Sequence, residues 1–467
     1  MINTDLAPFI MILMASLIYV MVGMRYTKQT LFLILFYAAF YYWYYAFLAN
    51  QGLSSTDIHE PVFLKLLKDI LILSIYAFCL SRIFISKKME LYSARFYIPL
   101  ACFIVLVIVQ TIRGLGENVT LSLIALRNMT IFMPIVFCVP MLIKDKADIK
   151  LIIRVLIFGA IIVSLIGVYE YFGGKSIYHD FAHMYNIAII RIYSTLYNTN
   201  NLAIYLNIFL MICFSFYLNK IYIINKYISQ MILSLFGFCL LATQSRSGLI
   251  MFMLGLTYLL FINRRRKAFV IITVTFISLT LLVQAFVPTL FYRNSLLLEQ
   301  SDNWGMKHVS VGARAGMFSI AKDIIDNDPN VILWGMGTYR VGVASALLYV
   351  ESEFETVRIG DNYFLEIFVG MGILGLLFFI WILLSILWES LQLFREIGDP
   401  YLKCLVGAIG AIVLSFSAEG LMGSLWNLFP NNLYFWFFTG LLISIKNYGR
   451  KNASLNTADH RAIHETI

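Results

Sequence analysis

Four groups of polar residues interrupt an otherwise apolar chain, and each has the makings of chemistry. The first is Arg191, followed by Thr195, Asn198 and Asn200, just before a long apolar run. The second is Ser245-Arg246-Ser247-Gly248, a tight polar turn between two apolar runs. The third is Arg314, followed by Gly335-Met336-Gly337-Thr338-Tyr339-Arg340. The fourth is Asp361-Asn362, with Gly372 and Gly375 further on. A guanidinium matches phosphate oxygens two at a time, so Arg191, Arg246 and Arg314 suit a clamp on a phosphate or pyrophosphate. The plainer reading of each is snorkelling to lipid headgroups or pairing with a loop carboxylate. Asp361 is either a general base for a hydroxyl nucleophile or the N-cap of the helix that follows it. Gly372 and Gly375 read as helix-packing glycines.

Other polar residues carry less. His179 and His183 have helical i, i+4 spacing, but no third metal ligand accompanies them, so they read as an interfacial pair. Arg127, inside an apolar run, either lines a cavity or pairs with a neighbouring span. The aromatic run from Phe40 to Tyr45 reads as an interface belt. The six cysteines lie in or beside apolar runs with no C-x-x-C spacing, as small buried hydrophobes do.

These residues need a scaffold, and composition says which. Of 467 residues, 60% are hydrophobic and 13% charged. A soluble domain has about 25% charged residues, so this chain cannot cover a water-facing surface. A soluble enzyme, a disordered protein and a nucleic-acid binder are excluded. A membrane-crossing helix needs about 20 mostly apolar residues. The pattern predicts an all-α polytopic membrane protein of about 13 spans: 7–24, 30–49, 67–85, 95–112, 119–143, 151–172, 199–218, 229–243, 247–263, 268–288, 365–388, 402–420 and 432–447. With the N-terminus outside, every inner loop is basic: Arg25 and Lys28; Arg82 to Arg95; Lys144 to Arg154; Lys220 and Lys226; Arg264 to Lys267; Arg395 and Lys403. With the tail, these hold well over half of the 35 Lys and Arg, so the net charge of +9 is topological.

Residues 1–447 thus form one helical bundle. Residues 289–364 are a large extracytoplasmic loop, and 448–467 are a polar cytoplasmic tail without structure. A loop this long is expected to fold. It carries a helical pattern over 311–329 that stops at Asn327-Asp328-Pro329, and a second short helix is expected at 340–350. No internal repeat is visible, and the polar groups cluster at outer span ends. Both features weigh against a lipid-linked oligosaccharide flippase.

Taken in order, the four groups resemble motifs of the bacterial O-antigen ligase and polysaccharide polymerase superfamily. The pieces are R-x-x-x-T-x-x-N-x-N at Arg191–Asn200, S-R-S-G at Ser245–Gly248, the run from Arg314 to Gly337, and Asp361-Asn362-x9-Gly372-x-x-Gly375. The resemblance spans roughly 150–447. It implies a glycosyltransferase that works without metal or cofactor on the outer side of a bacterial cytoplasmic membrane. Its donor would be a glycan on undecaprenyl pyrophosphate and its acceptor a glycan hydroxyl. A chain-length regulator or a flippase would be a possible partner. Asp361, Arg246 and Arg314 would be catalytic. Arg191, Asn198, Asn200, Ser245, Tyr339, Arg340 and Asn362 would bind substrate. Two departures matter. Ligases of the superfamily carry His where this chain has Asp361, and the familiar N-P-N reads Asn198-Thr199-Asn200 here. The first shifts the expectation from an O-antigen ligase to a repeat-unit polymerase.

Overall fold

A computed structural model of the chain describes residues 22, 25–42, 62–86, 93–173, 191–196, 198–222, 225–265, 267, 311–341, 362–424, 426 and 428–465. Most of these residues are helical, with no strand among them. In chain order the helices are α1 (Thr27–Ala38), α2 (Val62–Ser86), α3 (Tyr97–Leu115), α4 (Val119–Thr130), α5 (Ile135–Leu142), α6 (Lys146–Gly173) and α7 (Thr199–Leu218). Then come α8 (Lys226–Ala242), α9 (Arg246–Ile262), α10 (Val311–Asn327), α11 (Val331–Trp334), α12 (Tyr363–Glu396), α13 (Pro400–Met422) and α14 (Asn431–Glu465).

Among the described residues, six segments are long and apolar enough to cross a membrane: α3, α4 with α5, α6, α7, α12 and α13. The shorter α8 and α9 are also apolar. Expected spans 7–24 and 268–288 fall almost wholly outside the described residues, so thirteen remains an expectation. The protein is a multi-pass membrane protein, and the distribution of apolar surface shows why. Large side chains such as Ile98, Phe158, Leu384 and Trp388 stand exposed along the helices. Water would penalise that surface, whereas lipid accepts it.

Helices α7 and α13 form the centre. In each, 83% of the most apolar stretch is buried, against 50% in α6 and α12. Their neighbours approach closely through small residues. A Cβ on Gly255 of α9 would lie 2.5 Å from Ser415 Oγ of α13, so only glycine permits that contact.

Helix starts are defined by short polar side chains. Asn118, Asn225, Ser245, Asn362 and Asp399 each accept a hydrogen bond from a backbone N–H in the first turn. In apolar surroundings such donors have no water to turn to.

Three expectations are corrected. Span 119–143 is two helices, because Pro134 cannot donate to the ladder and α4 ends at Thr130. The polar tail continues α14 as helix to Glu465, with no proline or glycine after Gly449 to stop it. Tyr41 and Tyr42 turn into the protein: Tyr41 is 2% exposed and accepts a hydrogen bond from Lys68, while Tyr42 donates to the Phe429 carbonyl. Residues 43–45 of that run, and the short helix expected at 342–350, lie outside the described residues.

The bundle has two chemically different ends. One carries the ion pairs Lys28–Asp148, Lys146–Asp399 and Lys446–Glu389. The other gathers the N-termini of α7, α9, α12 and α14 with their amides and hydroxyls.

Candidate functional site

At the amide-rich end, two motifs distant in sequence become one unit. Asn198 caps α7, its Oδ1 accepting from the Asn200 N–H at 2.7 Å. Asn200 Oδ1 in turn accepts from Ser245 Oγ at 2.8 Å. Ser245 Oγ accepts from the Gly248 N–H at 3.1 Å and so caps α9. Asn207 Nδ2, two turns into α7, donates to the Gly248 carbonyl at 2.9 Å. The extended segment before α7 joins the same unit, since Arg191 Nε donates to the Thr243 carbonyl at 3.0 Å.

Buried groups hold that segment in place. Glu170, 1% exposed near the end of α6, accepts from the Tyr193 and Ser194 N–H groups at 2.9 and 2.6 Å. Ser194 Oγ donates to Val163 and Thr195 Oγ1 to Ala39. Asn431 Nδ2 donates to Asn201 Oδ1 at 3.0 Å, which ties the start of α14 to α7. Arg246, the first residue of α9, is exposed beside this network. The arrangement suits an anion: helix N-termini present partial positive charge, and Arg191 and Arg246 add formal charge.

The third and fourth motifs form a second unit. Helix α12 breaks at Gly372, whose φ of 70° and ψ of −171° leave the helical region. The packing glycine expected there is therefore a kink. The break admits the backbone of 333–337: Met336 N donates to Val369 O at 2.8 Å and Gly337 N to Gly370 O at 3.1 Å. Gly335, at φ 69°, approaches as closely from the other side; a Cβ there would lie 2.4 Å from the Gly370 carbonyl. Ala321 and Ile324 of α10 share a small apolar cluster with Val341 and Met336 and with Val369, Leu365 and Phe368, which joins the helix carrying Arg314 to the first half of α12.

Tyr339 and Arg340, expected to bind substrate, have structural partners. Tyr339 is fully buried in a notch left by Gly114, against Leu121 and Ala125. Arg340 forms an ion pair with Glu117, its Nε donating to Oε2 at 3.0 Å. Burial raises the Glu117 carboxyl, but the hydrogen bond from Arg340 and the charges of Arg340 and Arg113 outweigh it and hold it below the usual value. Asn362 Oδ1 accepts from the Leu365 N–H at 3.0 Å. The cap of α12 is thus Asn362, and the alternative reading of Asp361 as that cap falls away. Asp361 and the histidines at 179 and 183 lie outside the described residues. Arg314 is described through its helix alone.

Arg127 pairs with Asp69 of α2, its Nη2 2.6 Å from Oδ2, and with Asn128. That settles between its two readings in favour of a neighbouring span. Besides Glu170, and Glu389 at the basic end, two buried carboxylates lie outside the four motifs: Glu366 in the first turn of α12, 6% exposed, and Glu419 near the end of α13, 1% exposed. The signal was present in both, as in Glu170, because an acid inside an apolar run is costly without a purpose.

The family model described as O-Antigen ligase matches residues 231–380. That stretch holds Ser245, Arg246, Arg314, Tyr339, Arg340, Asp361 and Asn362. Arg191, Asn198 and Asn200 precede it, yet Asn200 and Arg191 hydrogen-bond directly into it. No curated protein matches the chain. The match supports membership of an O-antigen ligase-like superfamily, and with it a membrane enzyme of the ligase or polymerase type that takes part in polysaccharide biosynthesis.

Proposed function

We propose that the protein polymerises oligosaccharide repeat units carried on undecaprenyl pyrophosphate, at the outer side of the cytoplasmic membrane. The observation that carries a pyrophosphate site is the Asn200–Ser245 contact. It joins the Arg191 segment to the Arg246 turn at the end where helix N-termini gather. Asp361, where ligases carry His, favours polymerisation over transfer to a separate acceptor. Positive-inside reasoning puts the basic end in the cytoplasm and this site outside. A reporter fused after Lys267 should then read cytoplasmic, and one near Asn303 external.

The mechanism follows from where charge develops. An acceptor hydroxyl attacks the anomeric carbon of the donor, the bond to the pyrophosphate oxygen breaks, and that oxygen gathers negative charge. Arg246 and Arg314, with Arg191 nearby, stabilise this charge from fixed positions and do so without a metal or cofactor. Asp361 takes the hydroxyl proton. Asn198, Asn200, Ser245 and Asn362 keep the helix starts that frame the site in register. The apolar flanks leave the polyprenyl tail in lipid.

Reconstituted protein given only lipid-linked repeat units, with a chelator present, tests this directly. A ladder of lengthening lipid-linked glycans is expected. Transfer that occurs only when a separate acceptor is added would assign the protein as a ligase. A chain-length regulator, if it is a partner, should narrow the ladder without being needed for it.

A further inference from the structure

The loop segment 334–340 is held at four points by a part of the protein outside the family match. Gln110 Nε2 donates to the Trp334 carbonyl, and Arg113 Nη1 donates to the Gly335 carbonyl at 3.0 Å. Tyr339 fills the notch at Gly114, where a Cβ would lie 2.5 Å from its ring. Arg340 pairs with Glu117 and lies 5.6 Å from the centre of the Tyr339 ring. All four anchors come from one stretch, Gln110 to Glu117, at the end of α3 and the turn into α4. On its other side the loop segment is bonded to Val369 and Gly370, just before the Gly372 break. Helix α10, with Arg314, shares one apolar cluster with that same half of α12 and with Met336 and Val341 of the loop segment's neighbourhood.

We propose that Arg113 and Glu117 are positioning residues that hold the Arg314-bearing helix at a set height over the Arg246 turn. This rests on the reading of Arg314 and Arg246 as one clamp. Both belong to the transition state in that reading, so their spacing governs turnover more than donor binding. The Gly372 break interrupts the ladder between the first half of α12 and the rest, and the first half is tied to the end of α13, where Tyr363 N donates to the Gly423 carbonyl at 3.0 Å. The anchors from α3 tie the 334–340 segment, and through it the first half of α12, to a further element.

A single ion pair as exposed as Glu117–Arg340 is worth little by itself. Glu117→Gln should therefore lower kcat only about two- to five-fold, with donor KM nearly unchanged. Arg113→Gln with Glu117→Gln removes two anchors and should lower kcat by about ten-fold or more, because small misplacement of catalytic groups is costly. Exchanging the charges, Glu117→Arg with Arg340→Glu, should restore kcat relative to either single change.

The readout that a merely structural role would not move is the spacing itself. Spin labels at Lys322→Cys on α10 and Ile250→Cys on α9, both exposed sites, report it in folded protein. A single narrow distance is expected in the parent and in the charge-exchanged protein. A broadened or shifted distance is expected in the double-glutamine variant. Unchanged spacing in that variant overturns the proposal, as does a rise in KM at constant kcat. If the parent transfers no glycan at all, the proposed function fails while the distance measurement still decides the positioning role.

Discussion

Gly370 and Gly372 sit two residues apart on one helix, and alanine should have opposite effects at the two. At Gly372 the backbone φ of 70° is one that L side chains rarely adopt, at a cost of about 1–3 kcal/mol. A Cβ there would also lie 2.2 Å from the Leu333 carbonyl oxygen and 2.7 Å from Trp334 N. Both are backbone atoms, so no rotamer change relieves the overlap. Ordinary contact begins at 3.4 Å, so the 333–337 segment must retreat by about 1.2 Å. That breaks or stretches the bonds from Met336 and Gly337 to α12, each worth about 0.5–1.5 kcal/mol. Gly372→Ala should cost about 2–6 kcal/mol in all. At Gly370 φ is ordinary and the nearest atom, Thr338 Cα, is 3.5 Å away. Gly370→Ala should be neutral, or stabilise by a few tenths of a kcal/mol through helix propensity. Thermal unfolding of both variants in detergent, with protease cleavage of the loop as a second probe, measures the contrast. Equal melting temperatures would refute the kink as an obligate glycine site and the docking of the loop upon it.

The other predictions concern charge. Arg246→Lys keeps the charge but loses the bidentate fork, so transfer should fall sharply while the melting temperature stays within a degree or two of the parent, as membrane-reconstituted assays would show. Asp361→Asn should slow transfer by about 10²–10⁴ if Asp361 is the base. With Asn362 as the cap, no loss of helix stability should accompany it, and near-normal polymer length would remove Asp361 from the mechanism. Asp361→His should keep part of the activity, with a pH profile moved toward that of imidazole. At the basic end, burial raises the Asp399 carboxyl, but its hydrogen bonds from Lys146 and from the Leu402 and Tyr401 N–H groups outweigh that and lower it. A carboxyl lowered in the folded state adds stability above its unfolded value, and loses it as pH falls through the folded value. Melting temperature should therefore drop as pH falls below about 4, and Asp399→Asn should flatten that part of the profile.

Composition and spacing were enough to determine the class of this protein. Runs of about 20 apolar residues have no stable fate in water, and basic residues between alternate runs orient them. The start of α9 was legible because Ser245 is a strong cap before an apolar run, and the end of α10 because Asp328-Pro329 halts a helix. The four motifs could be read as separate pieces for the same reason: each depends on neighbours in sequence.

Tertiary structure alone decided which pieces meet. Nothing local says that Asn200 receives a hydrogen bond from Ser245, or that Arg340 pairs with Glu117, more than 200 residues before it. Arg340 was therefore expected on substrate, since a guanidinium in a loop looks the same whether its anion is a ligand or a distant carboxylate. The Gly372 break was equally hidden. A packing glycine and a kinked glycine are one residue type, and the difference lies in the backbone of 333–337 pressed against it. In a bilayer each polar group must find a partner within the protein. The sequence shows that such a partner is required, and only the packing of the helices determines which one it is.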